Sequence, residues 1–333
     1  MAEVDRLAKD VLAGDVKALA KAISIVELYS AEAEELLSKL FRHVGGKPVI
    51  GFSGPPGSGK STLIGRVVEH LTGRGFRVGV LAIDPSSPFT GGAVLGDRVR
   101  MAAVSSRPGV FIRSMATKGV RGSVAVNVRA VLRVFDAAGF DFILVETAGA
   151  GQADVSVNDV ADIVVIVVTP DMGDSIQAIK AGLLEVGDVY VVNKADDVRG
   201  SLTAAMLETM LSRKNAKPTV LKTVATRGEG VDVLAETLLK TWEDLNASGE
   251  IAARRRRQTV AEVITMMMES VRIAAEKLAS NEQFAAEVEK LVAAGLEPRA
   301  IARLKIPLLI NTFYKTREHN NIKIERCGRD WQR

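Results

Sequence analysis

The chain has one cysteine, Cys327, among 333 residues, so no intrachain disulfide framework can exist. Its three histidines, His43, His70 and His319, are far apart in sequence. With that lone thiol they offer no ligand spacing for zinc or nickel. Long apolar runs are absent too. The strongest, such as Ile163–Val168, are strand-length, against the ~20 residues a spanning helix needs. The opening MAEVDRLAKD has neither a basic nor an apolar leader region, so no signal peptide and no membrane role is expected. Net charge is only +4, which does not by itself imply nucleic acid, although a slight cationic excess suits an anionic ligand. No internal repeat or low-complexity tract stands out. What remains is an ordinary globular composition, 25% charged and 47% apolar, in a chain long enough for a sizeable core. A cytoplasmic setting is expected.

Three zones follow one another. Residues 1–45 are rich in Ala, Leu, Glu and Lys, with Leu19, Ile23, Val26 and Leu28 at helical spacing, and predict a helical extension of two or three short helices. Residues 46–247 alternate short apolar strands with amphipathic helices. The strands are expected at Pro48–Ser53, Val78–Asp84, Val110–Arg113, Phe142–Glu146, Ile163–Thr169, Val189–Asn193 and Thr219–Thr223. Most are continuous Val/Ile/Leu runs, the mark of strands buried on both faces. The pattern predicts an α/β fold with a doubly wound, mainly parallel sheet. Residues 248–333 turn helical again, read as a C-terminal arm for dimerisation, with a tail from Ile306 that matches nothing familiar.

The strongest motif lies at the first strand's end. Gly54-Pro55-Pro56-Gly57-Ser58-Gly59-Lys60-Ser61 is a full G-x-x-x-x-G-K-[ST] match that opens a helix through Thr62. Glycines let backbone N–H groups wrap a phosphate, and the helix start adds a favourable dipole. Lys60 is expected on the β- and γ-phosphates and Ser61 on Mg²⁺.

Asn193-Lys194-Ala195-Asp196, at another strand end, points to guanine. A carboxylate at Asp196 can accept from the N1–H and the exocyclic amine together, whereas adenine would leave a buried carboxylate unpaired. Lys194 would lie along the base and Asn193 would tie this loop to the phosphate loop. Thr223-Val224-Ala225 would bring a backbone amide to the guanine oxygen. Glu146 ends an apolar strand three residues before Gly149, resembling a D-x-x-G element with Glu for Asp. Glu146 would serve Mg²⁺ and the Gly149 amide the γ-phosphate. Gln152 stands as a candidate to orient the attacking water, or as a polar loop residue. Asp84 and Asp97, in a Gly/Ser/Pro-rich stretch after a strand end, suggest Mg²⁺ coordination or water activation. Helix capping is their plainer alternative.

These residues resemble the MeaB/ArgK family of GTPases. The likeness is carried by Ala18–Glu27, Ile83–Ser87, Gly91-Gly92, Leu95–Arg98, Phe111–Ala116, Val145–Thr147, Gly151-Gln152, Gly173-Asp174, Gln177–Lys180 and Asn193–Asp196. It implies a homodimeric GTPase, using GTP/GDP and Mg²⁺, that chaperones an adenosylcobalamin-dependent acyl-CoA mutase. By position, Ser61, Asp84, Asp97 and Glu146 would surround the metal, and Pro170–Lys180, with Asp174, Gln177 and Lys180, would form an additional switch facing the mutase. Two departures bear on partner specificity: Ser175 stands where the family has Glu, and Val120-Arg121-Gly122-Ser123 where it has His-Leu-Gly-Gly.

Other functions fit these residues less well. A transport-associated protein kinase lacks any marked phospho-acceptor, and a nickel-inserting GTPase lacks metal ligands. The Arg254–Arg257 run has no aromatic platform for nucleic acid and reads as a solvated face or a partner patch. Met266–Met268 read as filling a helix seam. Arg98, Arg113 and Arg121 are candidates for an arginine finger.

Overall fold

A computed structural model of the chain describes residues 2–28, 30–85, 101–117, 121–147, 157–170, 183–212 and 218–319. Seven strands form one sheet: β1 (Val49–Ser53), β2 (Val78–Pro85), β3 (Val110–Thr117), β4 (Phe142–Thr147), β5 (Ile163–Val168), β6 (Val189–Asn193) and β7 (Thr219–Thr223). Their order is β3-β2-β4-β1-β5-β6-β7, and each pairing is parallel. Strands β4, β5 and β6 are buried at every position, which their unbroken apolar runs require. Strand β3 outruns its sequence-based estimate, continuing past Arg113 to Thr117 beside β2.

Helices cover both faces. On one, α1 (Ala2–Leu12), α2 (Val16–Val26) and α3 (Ala31–Leu40) pack with α5 (Arg121–Ala137) over Leu81, Ile83, Ile143 and Val145. Helix α6 (Val198–Leu211) covers Val164, Ile166, Tyr190 and Val192. On the other, α4 (Lys60–Gly73) and α7 (Val231–Ala247) bury Ile50, Phe52, Leu144 and Val165. The N-terminal helices start where Asp15 and Ser30 accept backbone N–H bonds from Ala18 and Ala33. Leu19, Ile23 and Val26 are buried as the spacing predicts, each contributing roughly 1.5–3 kcal/mol by burial. Leu28 departs from the pattern: it lies past the end of α2 and is 76% exposed.

One regularity runs along the edge of the sheet where strands begin. Asp141, Asp162 and Asp188 each stand one residue before a strand, and each accepts a neighbour's backbone N–H at 2.9 Å, from Arg77, Val49 and Val164 respectively. Each carboxylate also takes a cation. Lys47 meets Asp141 at 3.1 Å. Arg255 grips Asp162 with two bonds of 2.8 and 2.7 Å, and Arg254 grips Asp188 with 2.7 and 2.8 Å. Both arginines open α8 (Glu250–Ala279). The arginine run is therefore no solvated face at these two positions. It docks the helix start onto the sheet, because paired charges satisfy carboxylates that strand ends leave half-desolvated.

The chain divides into two compact units, residues 1–260 and 261–333. The second holds the remainder of α8, α9 (Glu282–Ala293) and α10 (Pro298–His319). Asn281 caps α9 by accepting from Gln283 and Phe284. Met266, Met267 and Met268 are 48%, 63% and 67% exposed, so they do not fill a seam among the described residues. Ile264, Met267, Met268, Val271 and Arg272 line a groove of about 540 Å³. No described helix is long and apolar enough to cross a membrane.

Candidate active site

The edge where the strands end gathers the motif residues. Register pairs Phe52 with Glu146 and Ala82 with Glu146, so the ends of β1, β4 and β2 converge. The loop from Gly54 to Gly59 leaves β1 here and passes into α4. Gly54 (φ +143°) and Gly59 (φ +87°) need the absence of a side chain. A Cβ would lie 2.0 Å from Val167 O at Gly54 and 2.4 Å from Asn193 Nδ2 at Gly59.

Lys60 is buried, and its Nζ donates to Gly54 O at 2.7 Å and Pro55 O at 3.1 Å. The loop is thus closed over its own lysine, the cation a phosphate would otherwise meet. Ser61 Oγ donates to Glu146 Oε1 at 2.7 Å, with both residues buried. That hydroxyl and carboxylate are oxygen donors of the kind Mg²⁺ takes. Asp84, the last residue but one of β2, pairs with Ala116, which brings its backbone to the same edge. Asp97, Gly149, Gln152, Asp174, Gln177 and Lys180 lie outside the described residues. Among the described residues no cluster of three or more His, Cys, Asp or Glu forms a ready cation cage.

The loop Asn193–Asp196 is tied down from several sides. Asn193 is buried and central: Nδ2 donates to Ser58 O at 2.9 Å, while Oδ1 accepts from Thr223 Oγ1 and from Ala225 N, each at 3.1 Å. Asn193 thereby ties its loop to the phosphate loop, as the sequence anticipates, and also holds Thr223 and Ala225. Lys194 has φ 58°, the one positive φ outside glycine among the described residues. Held strain of this kind is characteristic of functional loops. The Asp196 side chain is 50% exposed, with Arg227 Nη1 at 3.8 Å. It is not the buried carboxylate the sequence suggests. The penalty against adenine arises only once a base covers it.

Arg113, one of three finger candidates, is committed elsewhere. Its guanidinium donates to Glu27 at 2.6 and 3.3 Å and to Ser24 at 3.2 Å, joining β3 to α2. Two stretches that carry the family resemblance, Ala18–Glu27 and Phe111–Ala116, meet through this contact. Their separation in sequence hid it.

A parallel sheet whose first strand runs through a Walker-type loop into a helix, with Ser61 and Glu146 buried together at its end, is the architecture of a P-loop nucleotide hydrolase. Relatives narrow the class. A Pyrococcus horikoshii protein with GTPase in its name is 39% identical, covering 93% of this chain and 99% of its own length. The mouse protein named methylmalonic aciduria type A homolog, mitochondrial, is 34% identical over 80% of this chain and 70% of its own. The crystal structure of an LAO/AO transport system kinase superposes with a TM-score of 0.70 over 96% of this chain and 98% of that one. At 24% identity that likeness shows the fold alone. The model of the family described as methylmalonyl-CoA mutase-associated GTPase MeaB matches residues 19–281, and the chain belongs to that family of GTPases.

Proposed function

We propose that this GTPase works with Mg²⁺ as a homodimeric, cytoplasmic chaperone of an adenosylcobalamin-dependent acyl-CoA mutase, gating cofactor loading and protecting the mutase. The nucleotide part rests on one observation above others: the buried Ser61–Glu146 bond beside Lys60, at the converging ends of β1, β4 and β2. The mutase part rests on the family's description and on the name of the mouse relative.

In this reading Ser61 and Glu146 hold the metal, with Asp84 and Asp97 completing its surroundings. When bound, Mg²⁺ supplies neutralisation of charge on the β- and γ-phosphates. Lys60 exchanges its two loop carbonyls for phosphate oxygens. The Gly149 amide senses the γ-phosphate, Gln152 orients water, and Asp174, Gln177 and Lys180 face the mutase. The dimer is built by the arm: its exposed Ile264, Met267, Met268 and Val271 are more apolar surface than a lone helix keeps wet without reason.

Steady-state GTP hydrolysis, with and without a cobalamin-dependent acyl-CoA mutase from the same source, tests the proposal. Stimulation by the mutase is expected, and Lys60→Ala should lower turnover about 100-fold or more, as loss of a phosphate-stabilising group does. Unchanged turnover and no complex in either nucleotide state would contradict the mutase reading while leaving the GTPase intact.

A further inference from the structure

Asn193 is not alone in holding the segment that follows β7. Arg66 lies on α4, the helix that begins with Lys60 and Ser61. Its Nε donates to Ala225 O at 3.1 Å and its Nη2 to Thr226 O at 3.0 Å. The third nitrogen, Nη1, donates to Glu69 Oε2 at 2.8 Å, and Arg107 Nη2 stands 3.6 Å from the other Glu69 oxygen. The guanidinium plane is thus oriented from behind by Glu69 and spends its forward edge on two successive carbonyls.

We propose that Arg66 is a positioning residue for guanine recognition, clamping the Ala225–Thr226 backbone to the helix that carries the phosphate site. The inference deepens the guanine reading of this site and rests on it. In a trans peptide the N–H points opposite to the C=O, so drawing Ala225 O toward α4 turns the Thr226 amide away from that helix. The two ties differ in kind. Asn193 takes hold of the loop through the Thr223 hydroxyl and the Ala225 amide, and Arg66 through the carbonyls that follow. Together they fix the span between base loop and phosphate loop, because both run back to Ser58 or to α4. A planar fork with donors at fixed spacing suits two adjacent carbonyls; a lysine has one point charge and cannot bridge them in the same way. Nearby, Arg227 donates to Glu229 at 2.6 Å, and Ala225 O, besides Arg66, accepts from Gly228 N at 3.3 Å.

The test is affinity for GDP, ADP and inorganic pyrophosphate, in wild type, Arg66→Met and Arg66→Lys, with far-UV circular dichroism to check folding. Arg66→Met should weaken GDP about 5- to 10-fold, the effect of two partly exposed charge-assisted bonds, and leave pyrophosphate unchanged because it has no base. KM for GTP should rise in step, with kcat within about twofold, since a uniform binding interaction has been removed. Arg66→Lys should fall between. A folded Arg66→Met with wild-type GDP affinity overturns the clamp, and so does an equal loss for GDP and pyrophosphate, which marks damage to α4. Should Arg66→Met fail to fold, Arg66→Lys alone decides by the same ratio. Wild type binding ADP as tightly as GDP would remove the guanine reading beneath the proposal, a separate outcome.

Discussion

The first unit and the arm treat apolar side chains in opposite ways. In residues 1–260, most Val, Ile and Leu enter three clusters on the two faces of the sheet, and the aspartates at the strand starts are paired. Asp162, with a side chain only 3% exposed, has Arg255 and the Val49 amide. In residues 261–333, Met266, Met267, Met268 and Val271 stay 44–67% exposed. The difference teaches where each part finds its stability: the first has its own core, and the second carries an apolar face that calls for another surface. The arginine pair at the start of α8 belongs to the first scheme, since it anchors that helix by charge at the sheet edge.

The strongest way to break this contrast is to unpair the anchor. Arg255→Met strips a buried carboxylate of its cation and two carbonyls, Gly45 O and Lys47 O, of their donor. Denaturant unfolding should show a loss of about 2–4 kcal/mol, discounted for the partial exposure of the guanidinium. Adding Asp162→Asn should recover part of it, because no charge is then left alone. Next comes the arm. Met267→Glu with Met268→Glu should shift the protein from dimer to monomer by light scattering, worth about 2–4 kcal/mol at an interface centre, with the melting of residues 1–260 hardly changed. A dimer unaffected by both charges would place the contact elsewhere.

The smallest effect sits beside the anchor. Asp136 accepts from Gly45 N at 2.7 Å, yet burial pushes its carboxyl above the ordinary range against the help of that amide. A carboxyl raised on folding adds stability below its ordinary pKa, and that stability is lost as pH rises through the folded value. Asp136→Asn should therefore gain under about 1 kcal/mol near pH 8, and the gain should vanish near pH 4. Unfolding curves at the two pH values measure it.

Much of this was legible in the residues. Unbroken runs such as Ile163–Val168 announce strands buried on both faces, and they form as read. The phosphate loop and Asn193–Asp196 are local motifs whose chemistry depends on neighbours in sequence, so spacing reveals them. Long-range pairs stay hidden for the opposite reason. Nothing local to Arg254 or Arg255 says that Asp188 and Asp162 await them, although the aspartate before β4, β5 and β6 is a pattern that could have been noticed. Arg113 shows the same limit: a switch-region arginine invites a catalytic role until Glu27 is found 2.6 Å away. The Met266–Met268 run misleads because three methionines in a row do not say whether neighbouring residues cover them.

The proposed reader of guanine at this edge is Asp196. The most direct measurement is the affinity of wild type and Asp196→Asn for GDP and for xanthosine diphosphate, whose ring offers a carbonyl where guanine has its amine. Wild type should prefer GDP, and Asp196→Asn should reverse the order, each matched pair gaining about 10-fold or more, because a mismatched base leaves hydrogen-bonding groups unpaired. An Asp196→Asn protein that still prefers GDP to the same degree would contradict the claim.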